Sequence, residues 1–120
     1  MHKMLSKERS KILKIVDEVY KYFIEHTHTC HITSTIDFNE AETNIKFKVR
    51  LKDKKEMQDV IEHLDKLFSV QRYREVEELY WNLTGDCYTS DETNLVGMMV
   101  DDFKIEAEDE VLRLYLVRRR

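Results

Sequence analysis

Cys30-His31-Ile32-Thr33-Ser34-Thr35-Ile36-Asp37-Phe38 and Ile45-Lys46-Phe47-Lys48-Val49-Arg50-Leu51 decide how this chain folds. Upstream of them apolar residues recur every third or fourth position; inside them they recur every second. In the first run Cys30, Ile32, Ile36 and Phe38 share one side, with Ser34 the exception. In the second, Ile45, Phe47, Val49 and Leu51 alternate with Lys46, Lys48, Arg50 and Lys52. Placed around Asn39-Glu40-Ala41-Glu42-Thr43-Asn44, the two runs predict a β-hairpin with one buried face.

Before the hairpin, a long helix is predicted over about Ser6–His26. Ile12, Ile15, Val16, Val19, Tyr20 and Phe23 form its apolar stripe. Lys7, Glu8, Lys11, Lys14, Glu18, Lys21 and Glu25 are expected mostly on its solvent side. After the hairpin, Asp53 and Glu56 have the spacing of a capping box. They open a second helix with the stripe Met57, Val60, Ile61, Leu64, Leu67 and Phe68. A third helix is predicted over Arg72–Thr84, with Tyr73, Val76, Leu79, Tyr80 and Leu83 inward and Gly85 as its left-handed cap. Thr89 and Glu92 suggest a short helix running to about Val100. Strands over Phe103–Ala107 and Val111–Val117, joined at Glu108-Asp109-Glu110, precede a polar tail, Arg118-Arg119-Arg120.

The predicted order is α-β-β-α-α-α-β-β. Hairpins near both ends with helices between them imply an α+β two-layer sandwich. Its sheet is expected to be four-stranded, mostly antiparallel or mixed, with helices on one face. Residues 1–120 are expected to form a single domain.

Composition narrows the function. With 2 glycines (Gly85 and Gly97) and no proline, the chain carries no Walker loop, dinucleotide fingerprint or kinase-type glycine-rich loop. A net charge of −4 gives no global attraction to nucleic acid or anionic lipid. No apolar run approaches the roughly 20 residues that cross a bilayer, and Met1–Lys14 has no apolar signal segment. Cys30 and Cys87 make no disulfide framework, so a reducing, cytoplasmic compartment is expected.

Four groups of residues invite a chemical reading. His26, His28, Cys30 and His31 are crowded, and imidazole with thiolate suits zinc, though the spacing matches no zinc finger or ribbon. Cys87 and His63 are candidates to approach them in space. Lys46, Lys48, Arg50 and Lys52 form a cationic stripe on one sheet face, and no aromatic residue interleaves with them on that face, which disfavours single-stranded nucleic acid. On the third helix, the adjacent Tyr80 and Trp81 cannot share one inward stripe, so Trp81 is expected to be partly exposed. With Arg72, Arg74 and Glu77 it forms a candidate protein-contact surface. The serines, carboxylates and cysteines lack the local context of a catalytic triad or activated thiol.

Glu18-Val19-Tyr20-Lys21-Tyr22-Phe23-Ile24-Glu25-His26 resembles the N-box helix of the GHKL superfamily, the ATPases that include histidine kinases, gyrase-type ATPases and anti-sigma-factor kinases. In that family the helix runs Glu-x-x-x-Asn-Ala-x-x-His and is followed by two strands. The segment from Met99 to Arg119 is similar to the helix–strand–strand finish of the anti-sigma-kinase branch. The resemblance implies that Glu18 occupies the general-base position and His26 the terminal histidine. Tyr22 stands where the family has its magnesium-binding asparagine and offers no amide oxygen. The Asp-x-Gly-x-Gly motif is replaced by Arg50-Leu51-Lys52-Asp53-Lys54, and Gly97 lies inside the last helix rather than in a glycine-rich loop.

The expected function is therefore a non-catalytic, GHKL-like regulatory domain without cofactor. It would act on a protein partner through Arg72, Arg74, Glu77 and Trp81. One alternative is an ATP-binding, kinase-like domain that uses Glu18 as base with Mg-ATP. Another is a metal-binding domain built on His26, His28, Cys30 and His31. A homodimer through an exposed sheet edge stays open.

Overall fold

The computed structural model describes residues 3–29, 31–84 and 93–120. The expected Cys30, Gly85, Cys87, Thr89 and Glu92 features lie outside the described residues, as do the side chains of Tyr80 and Leu83. The elements are α1 (Lys3–His26), β1 (Ile32–Phe38), β2 (Glu42–Arg50), α2 (Lys54–Phe68), α3 (Arg74–Thr84) and α4 (Thr93–Val96). A 3-10 turn (Gly97–Met99), β3 (Asp102–Glu108) and β4 (Val111–Arg119) complete them. The α+β order is the one expected.

The sheet is antiparallel throughout, with strand order β1-β2-β4-β3. The two hairpins thus meet through their second strands, and β1 and β3 form the edges. Alternation sends Ile45, Phe47 and Val49 of β2 and Leu112, Leu114 and Leu116 of β4 into the core. There they meet Ile12, Ile15, Val19, Tyr22 and Phe23 of α1 and Met57, Val60, Leu64, Leu67 and Phe68 of α2. Ser34, the break in the β1 pattern, also faces the core side, where its Oγ lies 2.7 Å from Tyr20 Oη in a shared hydrogen bond.

Strand ends differ from expectation for identifiable reasons. Asn39 Oδ1 accepts the amides of Ala41 and Glu42 at 3.1 and 2.9 Å, which tightens the first turn and lets β2 begin at Glu42. The second hairpin turns at Asp109-Glu110, with Asp109 at φ 56°, a conformation that aspartate tolerates better than most residues. β4 runs two residues past Val117, so Arg118 and Arg119 belong to the strand rather than to a tail.

Asp53 caps α2 as expected, accepting from Lys55 N and Glu56 N. The capping box is not closed, however. The Glu56 carboxylate instead accepts His28 N–H at 3.1 Å and His28 Nδ1–H at 2.9 Å, tying α2 to the α1–β1 connection. Gly97 is required by close approach: a Cβ there would lie 2.0 Å from the Leu67 carbonyl oxygen at the end of α2.

Candidate functional site

Extension of β4 carries the alternation of Leu112, Leu114 and Leu116 one step further, so Arg118 enters the core side and is 1% exposed. A desolvated guanidinium needs acceptors for its five N–H donors. Arg118 donates to both carboxylate oxygens of Glu8, at 2.7 and 3.0 Å, and to both of Glu77, at 2.9 and 2.7 Å. Its remaining N–H donates to the Met99 carbonyl at 2.7 Å. Every donor is used, in two bidentate forks.

Glu77 is the hub from the acidic side. Besides Arg118 it accepts Lys11 Nζ at 2.8 Å and Arg72 Nε at 3.2 Å. Arg72 also donates to Asp101 Oδ2 at 2.6 Å and to the Arg119 carbonyl at 2.7 Å. Glu78 receives Lys11 and Lys7, the latter at 2.7 Å. Burial alone would raise the Glu77 carboxyl. The hydrogen bonds from Arg118 and then Lys11, with the charges of Arg118 and Arg72, overcome it and hold Glu77 at about 2. Burial likewise opposes the charge on Arg118, but the Glu77 and Glu8 hydrogen bonds raise it well above the ordinary guanidinium range.

This network reverses the expected orientation of α3. Glu77 is 3% exposed, whereas Tyr73 and Leu79 are 58% and 61% exposed and Val76 is also on the surface. The inward stripe is polar because Lys11 and Arg118, buried on α1 and β4, need a carboxylate between them. The expectation that Lys11 and Glu18 face solvent is corrected as well: both are buried. Signals for the network were present in sequence. Arg118 is in phase with Leu112–Leu116, and Lys11 is in phase with Ile15 on α1.

The expected contact residues are therefore separated. Arg72 and Glu77 are turned into the network. Arg74 is exposed and donates to the Arg119 carbonyl at 3.3 Å. Trp81 is half-buried, with Lys11 Nζ 5.9 Å from its ring centroid. Among the described residues, Val76 and Leu79 stand exposed on the outer surface of α3, with the exposed Tyr73 one residue before its start.

The histidines take different partners. His26 stacks on Tyr22, with centroids 5.2 Å apart, and donates from Nδ1 to the Tyr22 carbonyl at 3.3 Å. His28 is committed to Glu56, and His31 lies exposed before β1. Among the described residues no group of three or more His, Cys, Asp or Glu side chains is placed to hold a metal ion. His63, a candidate to join them, instead has Nδ1 3.0 Å from Tyr22 Oη. Burial raises the Tyr22 phenol above its ordinary value.

Glu18 lies beneath α2 with Val19, Tyr22, Leu64, Leu67, Phe68 and Val96 around a gap with no room for water. Its carboxylate is 3.6 Å from Lys14 Nζ. On the outer sheet face the fold places an aromatic ring that the linear cationic stripe lacked. Lys46 and Lys104 Nζ lie 5.7 and 5.9 Å from the Tyr115 ring centroid. Around it the charges alternate in sign. Glu106, exposed, is lowered first by its hydrogen bond from Lys104 and then by that from Tyr115.

No helix among the described residues is long and apolar enough to cross a membrane. No protein-family model, curated protein or solved structure matches the chain.

Proposed function

We propose that the chain is a non-catalytic, cytoplasmic regulatory domain that works by gripping another protein through the outer face of α3. The observation that carries this reading is the inverted amphipathicity of that helix. Its charged stripe is consumed internally by Arg118, Lys11 and Arg72, while Tyr73, Val76 and Leu79 face solvent. Val76 and Leu79 on α3, with Tyr73 just before it, are exposed apolar side chains of the kind that anchor a helix docked in an apolar groove. The exposed Glu75 on the same helix suits a groove with a basic rim.

This surface differs from the one expected from sequence, because Arg72 and Glu77 serve the fold while their apolar neighbours are presented outward. Such a role fits a GHKL-like domain that has lost its nucleotide motifs. The burial of Glu18 among apolar side chains favours contact over ATP hydrolysis, since a general base must reach water.

The test is quantitative binding. A partner captured by the immobilised chain is purified and titrated calorimetrically against wild type, Leu79→Glu and Arg113→Glu. Expected is at least a tenfold loss with Leu79→Glu and unchanged affinity with Arg113→Glu, which sits on the opposite sheet face. Equal affinity for all three proteins would refute the α3 assignment.

A further inference from the structure

We propose that the chain forms a homodimer by antiparallel pairing of β1 with β1 of a second copy, across a two-fold axis at Thr35. The two sheet edges are built differently. On the solvent face β3 carries Asp102, Lys104, Glu106 and Glu108, charges that guard an edge against pairing. β1 carries Thr33, Thr35 and Asp37, with no lysine or proline.

The orientation of the unpaired backbone groups follows from one hydrogen bond. The His31 carbonyl accepts Arg50 N–H at 3.0 Å, so His31 points its main chain toward β2. In an antiparallel ladder this alternates, and Ile32, Ser34, Ile36 and Phe38 therefore aim N–H and C=O outward. A second β1 centred on Thr35 pairs Ile32 with Phe38 and Ser34 with Ile36. That geometry satisfies about eight main-chain hydrogen bonds and extends the apolar inner row across the junction.

The helix layer above β1 repeats the same symmetry. Arg9 lies 4.9 Å from the Phe38 ring and Tyr20 Oη bonds Ser34, so this flank of α1 runs antiparallel to β1. Leu13 and Ile24 fall on that flank by helical spacing and are 64% and 65% exposed. Their midpoint lies between Glu18 and Val19, less than a turn from Tyr20 and thus over Ser34–Thr35. One axis therefore sets Leu13 against Ile24 of the second copy and Ile24 against its Leu13. The same axis places Asp17 opposite Tyr20 of the other helix, one position from its Lys21. Strand and helix share one axis although nothing in the monomer requires it, and this coincidence selects a second copy as the occupant. The interface does not use α3 and stands or falls apart from the reading given above.

The experiment is sedimentation equilibrium of the full chain at micromolar to millimolar concentration, with three variants. Wild type and Leu79→Glu are expected to sediment as dimers. Leu13→Glu/Ile24→Glu, exposed in the monomer, is expected to sediment as a folded monomer with an unchanged far-ultraviolet circular dichroism spectrum. In a Cys30→Ser/Cys87→Ser background, Thr35→Cys is expected to cross-link as a dimer under mild oxidation, because residues at a non-hydrogen-bonded pair are within disulfide reach. A monomeric wild type overturns the proposal and leaves the edge to a strand of a different protein. A dimer that persists in Leu13→Glu/Ile24→Glu, that dissolves in Leu79→Glu, or that fails to cross-link through Thr35→Cys also overturns it.

Discussion

Replacing Glu77 by glutamine should cost the protein about 3 kcal/mol at neutral pH, and most of that cost should vanish in acid. Glutamine keeps the volume but removes the charge shared by Arg118, Lys11 and Arg72. Breaking a buried ion pair from one side typically costs 3–5 kcal/mol. The lower end applies because Arg118 keeps Glu8, Arg72 keeps Asp101 and Lys11 keeps Glu78. Linkage leads to a similar figure. Glu77 falls from an ordinary 4.5 when unfolded to about 2 when folded, and each unit is worth about 1.4 kcal/mol, so the carboxylate contributes roughly 3 kcal/mol. A carboxyl depressed by folding stabilises above its unfolded value, and the contribution is lost as pH falls from about 4.5 through about 2. Urea denaturation of wild type and Glu77→Gln between pH 7 and pH 2 gives the difference directly. A gap of about 3 kcal/mol above pH 5 that closes toward pH 2 is expected. A gap below 1 kcal/mol at pH 7 with equal denaturant slopes, or one independent of pH, would refute a central role for Glu77.

Gly97→Ala should lower stability by about 2–3 kcal/mol, because the new methyl meets the Leu67 carbonyl oxygen; a melting temperature reduced by roughly 10 °C reports it. Asp53→Ala removes the cap of α2 and should cost about 1 kcal/mol, measured by the shift of the urea midpoint. A thermal melt in millimolar Mg-ATP or Mg-ADP should match the melt without nucleotide. A ligand at 100 times its Kd would add about 2.7 kcal/mol, so a clear upward shift would restore Glu18 as the first residue to mutate.

Elements governed by strict apolar periodicity were legible in sequence. The α2 stripe from Met57 to Phe68 and the alternation of β2 from Ile45 to Val49 lie in the core as read. α3 was legible as a helix but not in its orientation. Tyr73, Val76 and Leu79 make a valid apolar stripe, and helical periodicity cannot say which stripe faces inward when the other carries a carboxylate wanted by buried cations. Arg118 shows why: beyond Val117 a run of three arginines reads as a solvated end, and its burial depends on Glu8, 110 positions away, and Glu77. Tyr115 between Lys46 and Lys104 is likewise a product of strand order β2-β4-β3 and not of local sequence. The histidines clustered in sequence but were parted by the end of α1 at His26, which stacks on Tyr22 while His28 turns to Glu56.

The outward stripe of α3 is most directly tested by the thermal melt of Val76→Glu/Leu79→Glu. If both side chains face solvent while Glu77 holds the helix from beneath, the melting temperature should stay within about 3 °C of wild type, since exposed substitutions change stability by about 0.5 kcal/mol or less. Two carboxylates forced into a core would instead lower it by well over 10 °C, and that result would contradict the inverted orientation of α3.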